Sequence, residues 1–176
     1  PTIRISNGID FAHIPLKTNV NDTSNTVHLL GVADIHFWHG FDRVVAGLAD
    51  YYRRPHEKEV IFHIVGGGSR FTVPELREQV REQGMEERVV LHGPLWGEAL
   101  DRAFEEADLG IASLGRHRNG ITHIKTLKNR EYAARGIPFV YSENDSDFDA
   151  MPYVLKAPAD ESPIDIDALL HFLDGV

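Results

Sequence analysis

Ile124-Lys-Thr-Leu-Lys-Asn-Arg-Glu-Tyr-Ala-Ala-Arg-Gly-Ile-Pro138, with the apolar run that follows it to Ser142, decides how the rest of the chain is read. The hydroxyl of Thr126 suits an N-cap, where it accepts a backbone N–H of the first helical turn. Leu127 to Arg135 holds good helix formers without internal Gly or Pro. Gly136 supplies a left-handed C′ residue, and Pro138 forbids continuation. Ile137-Pro-Phe-Val-Tyr-Ser142 then reads as a buried parallel strand. A helix of 127–135 leading into such a strand is half of a βαβ repeat.

The charge around this helix stands out. The chain carries a formal net charge of −9, yet no Asp or Glu occurs from Leu109 to Arg130. Within that window lie Arg116, Arg118, Lys125, Lys128 and Arg130, with His117 and His123 beside them. A helix N-terminus presents unpaired N–H groups and about half a positive charge. Cations added there make a diphosphate site. Glu131, one turn beyond Lys128, can face the same ligand. An acceptor-only carboxylate suits the paired hydroxyls of a ribose. The residues alone leave a second reading open, in which the helix is solvated and Glu131 pairs with Lys128 or Arg135.

Outward from this stretch, strands and helices alternate. Strands are expected at Val27–Ala33, Glu59–Val65, Arg88–His92, Asp108–Ser113 and 137–142, with an edge strand at Met151–Lys156. Helices are expected at Phe41–Arg54, Val73–Gln83, Glu98–Ala107, Leu127–Arg135 and Asp165–Leu173. Residues 1–26 are rich in turn formers and read as an entry linker, with a short strand at Ile3–Ser6. The domain proper is 27–176. Glu143–Asp149 reads first as a solvated acidic loop, with contact to bound sugar hydroxyls as its second reading. Short apolar strands alternating with helices predict an α/β, Rossmann-like parallel sheet sandwiched by helices. Ligands of such sheets bind beyond the carboxyl ends of the strands. No Gly-x-Gly-x-x-Gly joins the first strand to its helix, so this is not the dinucleotide fingerprint.

Composition narrows the function. With 42% hydrophobic and 26% charged residues, the chain is ordinary for a globular domain. No apolar run reaches the ~18 residues a membrane span needs, and no signal-peptide pattern is present. Cysteine is absent, which excludes disulfides and thiolate metal sites and fits the cytoplasm. Of the ten histidines, His36 and His39 lie close to Asp34, but without a second His pair at ligand spacing no metal or other cofactor is expected. An acidic chain is a poor partner for nucleic acid, so the basic window is matched to a small anion. Pro1 in place of an initiator Met fits a segment cut from a longer polypeptide as well as simple trimming.

Several segments, in order, resemble the C-terminal half of GT-B glycosyltransferases of the retaining, group 1 (family 4) type. Asn7-Gly-Ile-Asp10 is similar to that family's hinge between its two domains, and Ile64-Val-Gly-Gly-Gly68 to its Val-Gly-x-Gly. Val89-Val-Leu-His-Gly93 resembles the strand whose following backbone meets the nucleobase. Ala107-Asp-Leu-Gly-Ile-Ala-Ser113 resembles the strand before the donor loop, and Glu131-Tyr-Ala-Ala-Arg-Gly-Ile-Pro138 the Glu-x-x-Ala-x-Gly-x-Pro signature. The resemblance implies transfer of a sugar from a nucleoside diphosphate to an acceptor hydroxyl, in polysaccharide or glycolipid synthesis. The acceptor would be a sugar or a lipid-linked sugar. It also implies a partner N-terminal domain outside residues 1–176, an isolated half that transfers nothing alone, and a cytoplasmic, membrane-peripheral whole protein.

By that resemblance Glu131 binds the ribose, and Gly93, Pro94 and Leu95 frame the base. The diphosphate falls to Thr126, Leu127 and Lys128, helped by Lys125, Arg116 and Arg118. Gly31 and His39 stand at the end of the first strand, where the family also contacts phosphate. The sequence departs from the family at two places. His123 occupies the position of a glutamate that touches the transferred sugar, and Val32 and His39 replace an Arg and a Lys. The basic loop is expected to restore the missing charge. Two other readings stay open: a sugar-nucleotide epimerase of similar fold, and a non-catalytic nucleotide-binding or interaction domain.

Overall fold

A computed structural model describes residues 7–18 and 25–176; the strand expected at Ile3–Ser6 lies outside them. Six parallel strands form the sheet: β1 (Thr26–Val32), β2 (Glu59–Val65), β3 (Val89–Gly93), β4 (Leu109–Ile111), β5 (Phe139–Tyr141) and β6 (Val154–Lys156). They lie side by side in the order β3-β2-β1-β4-β5-β6. The helices are α1 (Phe41–Tyr52), α2 (Thr72–Glu82), α3 (Glu98–Glu106), α4 (Leu127–Arg135) and α5 (Ile166–Leu173). Each element expected from residue 27 onward is present, with β4, β5 and β6 half as long as expected.

Alternate side chains of the strands feed two cores. Val27 and Leu29 of β1, Phe62 and Ile64 of β2 and Ile111 of β4 pack with buried residues of α1, α2 and α5. Leu30, Val65, Phe139 and Tyr141 face the other way, onto Phe104 of α3 and Tyr132 of α4. Burial on both faces is why the strands read as nearly continuous apolar runs.

The order reverses between β1 and β4, so the crossovers from these two strands leave on opposite faces of the sheet. β1 and β4 share only the pairs Leu29↔Leu109 and Leu30↔Gly110 before they diverge. Tyr132 fills the split. Its hydroxyl lies 2.8 Å from the carbonyl of Leu30 and 3.3 Å from that of Ile111. It also accepts the N–H of Val32 at 3.3 Å. The ring rests on Gly110, where an added Cβ would come within 2.6 Å of it. One side chain thus satisfies the backbone where the strands part and fixes α4 against the switch point.

Residues 7–18 are not a free linker. Asn7 donates to the carbonyl of Lys125 at 2.8 Å and accepts from Arg130 at 2.8 Å, while the N–H of Lys17 bonds to the carbonyl of Arg135 at 2.9 Å. The entry segment therefore runs along α4 and helps hold it.

Candidate functional site

Three segments meet beyond the carboxyl ends of β1, β4 and β5. After β1 the chain turns through Phe37–His39 and enters α1 at Gly40. Gly40 has φ 67°, and a Cβ there would lie 2.8 Å from the carbonyl carbon of Leu114. Only glycine permits that approach, which lets Leu114 and Gly115 bond to the carbonyls of His39 and Trp38. After β4, Arg116–Asn119 forms a short helical turn. After β5, the chain continues as an extension whose Ser142 N–H bonds to the carbonyl of Ser113 at 3.0 Å.

The amino end of α4 closes the site. The hydroxyl of Thr126 accepts the N–H of Asn129 at 3.2 Å, which makes Thr126 the cap. The amides of Leu127 and Lys128 are ones the helix cannot satisfy itself. Lys128 turns back under the loop after β1, its Nζ buried without a hydrogen-bond partner and 5.8 Å from the centre of the Phe41 ring. Burial lowers its pKa to about 7, aided by repulsion from Arg116 and opposed by Glu143. Arg116 lies over Trp38 at 5.6 Å, its Nε buried and unpartnered. His39 is buried, and loss of water lowers its pKa to about 2, with Lys128 and Arg116 adding to the effect. It is neutral, its Nδ1 accepting the N–H of His36 at 3.0 Å.

Among the described residues, every buried side-chain polar atom without a partner falls between Ser113 and Glu143. They are Ser113 Oγ, Arg116 Nε, His117 Nδ1, Lys128 Nζ, Asn129 Oδ1 and both carboxylate oxygens of Glu143. A folded chain leaves few such groups, because each costs about 1–3 kcal/mol. Their concentration at one end of one sheet makes that end the candidate site.

The other expected residues are placed as follows. Glu131 stands one turn beyond Lys128, with one oxygen, Oε1, accepting from Arg135 at 3.2 and 3.3 Å. Arg135 is itself buried over Phe104 and bridges to Asp101 at 2.9 Å. The pair foreseen in the second reading of the sequence therefore exists, and it holds the acid in one orientation. Lys125 is paired with Asp147. Arg118 is saturated, donating to Asp42 at 2.6 and 2.9 Å, to the carbonyl of Phe37 at 2.7 Å and to Glu161. Those acids lie outside the acid-free window, so Arg118 secures loops rather than offering free charge. Gly31 lies within β1, where a Cβ would come within 2.8 Å of the Phe41 ring. Gly93 ends β3 at φ 73°, Pro94 is exposed and Leu95 packs partly on the second core. His123 is exposed, its ring 2.9 Å from the Thr122 hydroxyl and 3.5 Å from the Asn144 amide.

One member of the cluster was expected in a solvated loop. The acidic loop after β5 is not solvated at its start: Glu143 is 3% exposed and Asp145 is fully buried. Asp145 is held by Arg130 and by Asn129 at 3.2 and 3.3 Å. Burial pushes the Glu143 carboxyl up to about 7, against the weaker pull of its own amide and of Arg116, Lys128 and Lys156. A hollow of about 370 Å³ lined by Lys17, Asp101, Phe104 and Arg135 lies elsewhere, reaching Ile137 at the amino end of β5. No group of His, Asp or Glu among the described residues could hold a metal ion. No described helix is long and apolar enough to cross a membrane.

No family model matches the sequence, and no curated protein matches it significantly. Solved structures do match. The apo form of the lipopolysaccharide outer core galactosyltransferase WaaB superposes with a TM-score of 0.60 at 20% identity, over 96% of this chain and 45% of that one. Anabaena HepE in complex with UDP gives 0.60 at 17% identity, over 86% and 39%. The C-terminal domain of the group 1 glycosyl transferase LpcC from Francisella tularensis gives 0.56 at 14% identity, over 94% and 79%. The chain thus spans less than half the length of WaaB and HepE. With its six-stranded parallel sheet and its flanking helices, the chain has the fold of the C-terminal domain of a GT-B glycosyltransferase.

Proposed function

We propose that this chain is the donor-binding half of a retaining glycosyltransferase that takes a nucleoside-diphosphate sugar and serves polysaccharide or glycolipid synthesis in the cytoplasm. The observation that carries the reading is the buried, unpartnered Lys128 Nζ beside Arg116 at the amino end of α4. A diphosphate supplies what those donors lack: several anionic acceptor oxygens within reach of one helix end. Glu131, braced by Arg135, offers its second oxygen to a ribose, and the backbone from Gly93 to Leu95 lies at the end of β3, where a base would rest. That HepE holds UDP on the same fold agrees with this assignment.

In the reaction, the bond from the anomeric carbon to the diphosphate oxygen breaks and the electron pair leaves on phosphate. The acceptor hydroxyl oxygen bonds to that carbon and gives its proton to the leaving phosphate. Charge grows on the diphosphate as this happens, so the α4 amides, Lys128 and Arg116 stabilise the transition state more than the ground state. In this reading the acceptor is held by a facing domain outside residues 1–176.

Calorimetry with UDP, GDP and ADP tests the reading. One nucleotide is expected to bind, and Lys128→Met to weaken it by roughly 1.5–3 kcal/mol, as for a charge-assisted bond. Binding of none of them would favour a non-catalytic domain. Unchanged affinity in the variant would remove Lys128 from the phosphate site.

A further inference from the structure

Resting on the donor-binding reading, we infer that Glu143 is the carboxyl group that receives hydroxyls of the transferred sugar. Its side chain is buried with both oxygens unpartnered, and its charge acts on Arg116 and Lys128. A buried counter-ion for those cations would be expected to share hydrogen bonds with them. Instead Lys128 Nζ and Arg116 Nε are also unpartnered, so none of the three groups satisfies another. The chemistry of the ligand follows from what each group lacks. The cations need acceptors, which a diphosphate has. Carboxylate oxygens need donors, which a diphosphate does not have and would repel. A sugar joined to the diphosphate carries hydroxyl donors one ring away, and so supplies both needs in one molecule.

The backbone holds Glu143 still. Its carbonyl accepts from Lys156 Nζ. Ser142 before it is tied to Ser113, and Asn144 after it bonds to the carbonyl of Thr122 at 2.8 Å while accepting the N–H of Ile124 at 3.0 Å. The same contacts pair Asn144 with His123 as an isolated parallel bridge. Glu143 therefore stands next to the position where the sequence lacks an acid, and supplies one from a different strand.

The test compares UDP with UDP-glucose, UDP-galactose and UDP-N-acetylglucosamine by calorimetry, on the chain and its Glu143→Gln and Glu143→Ala variants. The wild-type chain is expected to bind at least one UDP-sugar more tightly than UDP. In the variants UDP should bind within about threefold of wild type or more tightly, while the advantage of the sugar falls by roughly tenfold. Glu143→Gln keeps the shape, so it guards against a variant that merely fails to fold. A sugar advantage that survives in both variants, or that is absent from the wild type, overturns the role of Glu143 alone. Failure of the wild type to bind UDP at all overturns the donor-site reading beneath it.

Discussion

Raising the pH from about 7 to about 8.5 is expected to weaken UDP binding by more than the ligand's own titration allows. In the free chain the Lys128 ammonium sits near its midpoint at neutral pH, because its Nζ is buried without a counter-ion in bonding range. Bound phosphate supplies that counter-ion, so the complex keeps the proton. A group with a free pKa of about 7 is half protonated at pH 7 and only ~3% protonated at pH 8.5, so affinity should drop roughly 15-fold, or about 1.6 kcal/mol. Glu143 acts in the same direction, since its ionisation over this range places a negative charge beside the phosphate. The terminal phosphate of UDP, with a pKa near ~6, is almost fully charged throughout. Of the other facing groups, His39 stays neutral and Arg116 charged. Calorimetry in two buffers of different ionisation enthalpy reads the proton uptake directly. About half a proton or more should be taken up at pH 7, and Lys128→Met should flatten the profile. Affinity that holds steady across this range, or proton release on binding, would refute the linkage.

Three further outcomes follow from the same residues. The stability of the free chain should dip near neutral pH. Between about 4.5 and 7 the native state holds a proton on Glu143 that the unfolded chain does not, so stability falls as pH rises; from about 7 to 10.5 the unfolded chain holds one on lysine that native Lys128 lacks, so stability climbs again. Melting curves should show Glu143→Gln flattening the first limb and Lys128→Met the second, each by on the order of 1–3 kcal/mol. Tyr132→Phe should destabilise by about 1–3 kcal/mol in urea, since the Leu30 carbonyl and Val32 N–H lose their shared partner. Gly47→Ala should be destabilising by about 1–3 kcal/mol or more, because a Cβ there would lie 2.0 Å from the carbonyl oxygen of Ile164; a neutral result would mean that α5 can shift.

The residues show which parts of this molecule are written locally and which are not. The bounds of α4 were legible because Thr126, Gly136 and Pro138 act on their own turn of chain, and the structure caps the helix at Thr126 and Gly136. β4 is shorter than its apolar run because the sheet splits there and Tyr132, not a strand, takes the freed backbone groups. The acid-free window suggested more free charge than exists. Arg118 meets Asp42 and Glu161 from distant parts of the chain, and Arg130 meets Asp145 and Asp147. Of the lysines and arginines in that window, all of them among the described residues, only Lys128 and Arg116 keep an unpartnered buried donor. The burial of Glu143 was missed for the opposite reason: an acid in a run of acids reads as solvated, and only the continuation of β5 reveals that it is drawn inside.

The central claim is that a nucleoside diphosphate settles on the amino end of α4, and amide chemical shifts of the chain titrated with UDP test it most directly. The largest changes are expected at Leu127, Lys128 and Asn129, with smaller ones at Glu131 and from Gly93 to Leu95. Shifts confined to other surfaces, with the first turn of α4 unmoved at saturation, would contradict it.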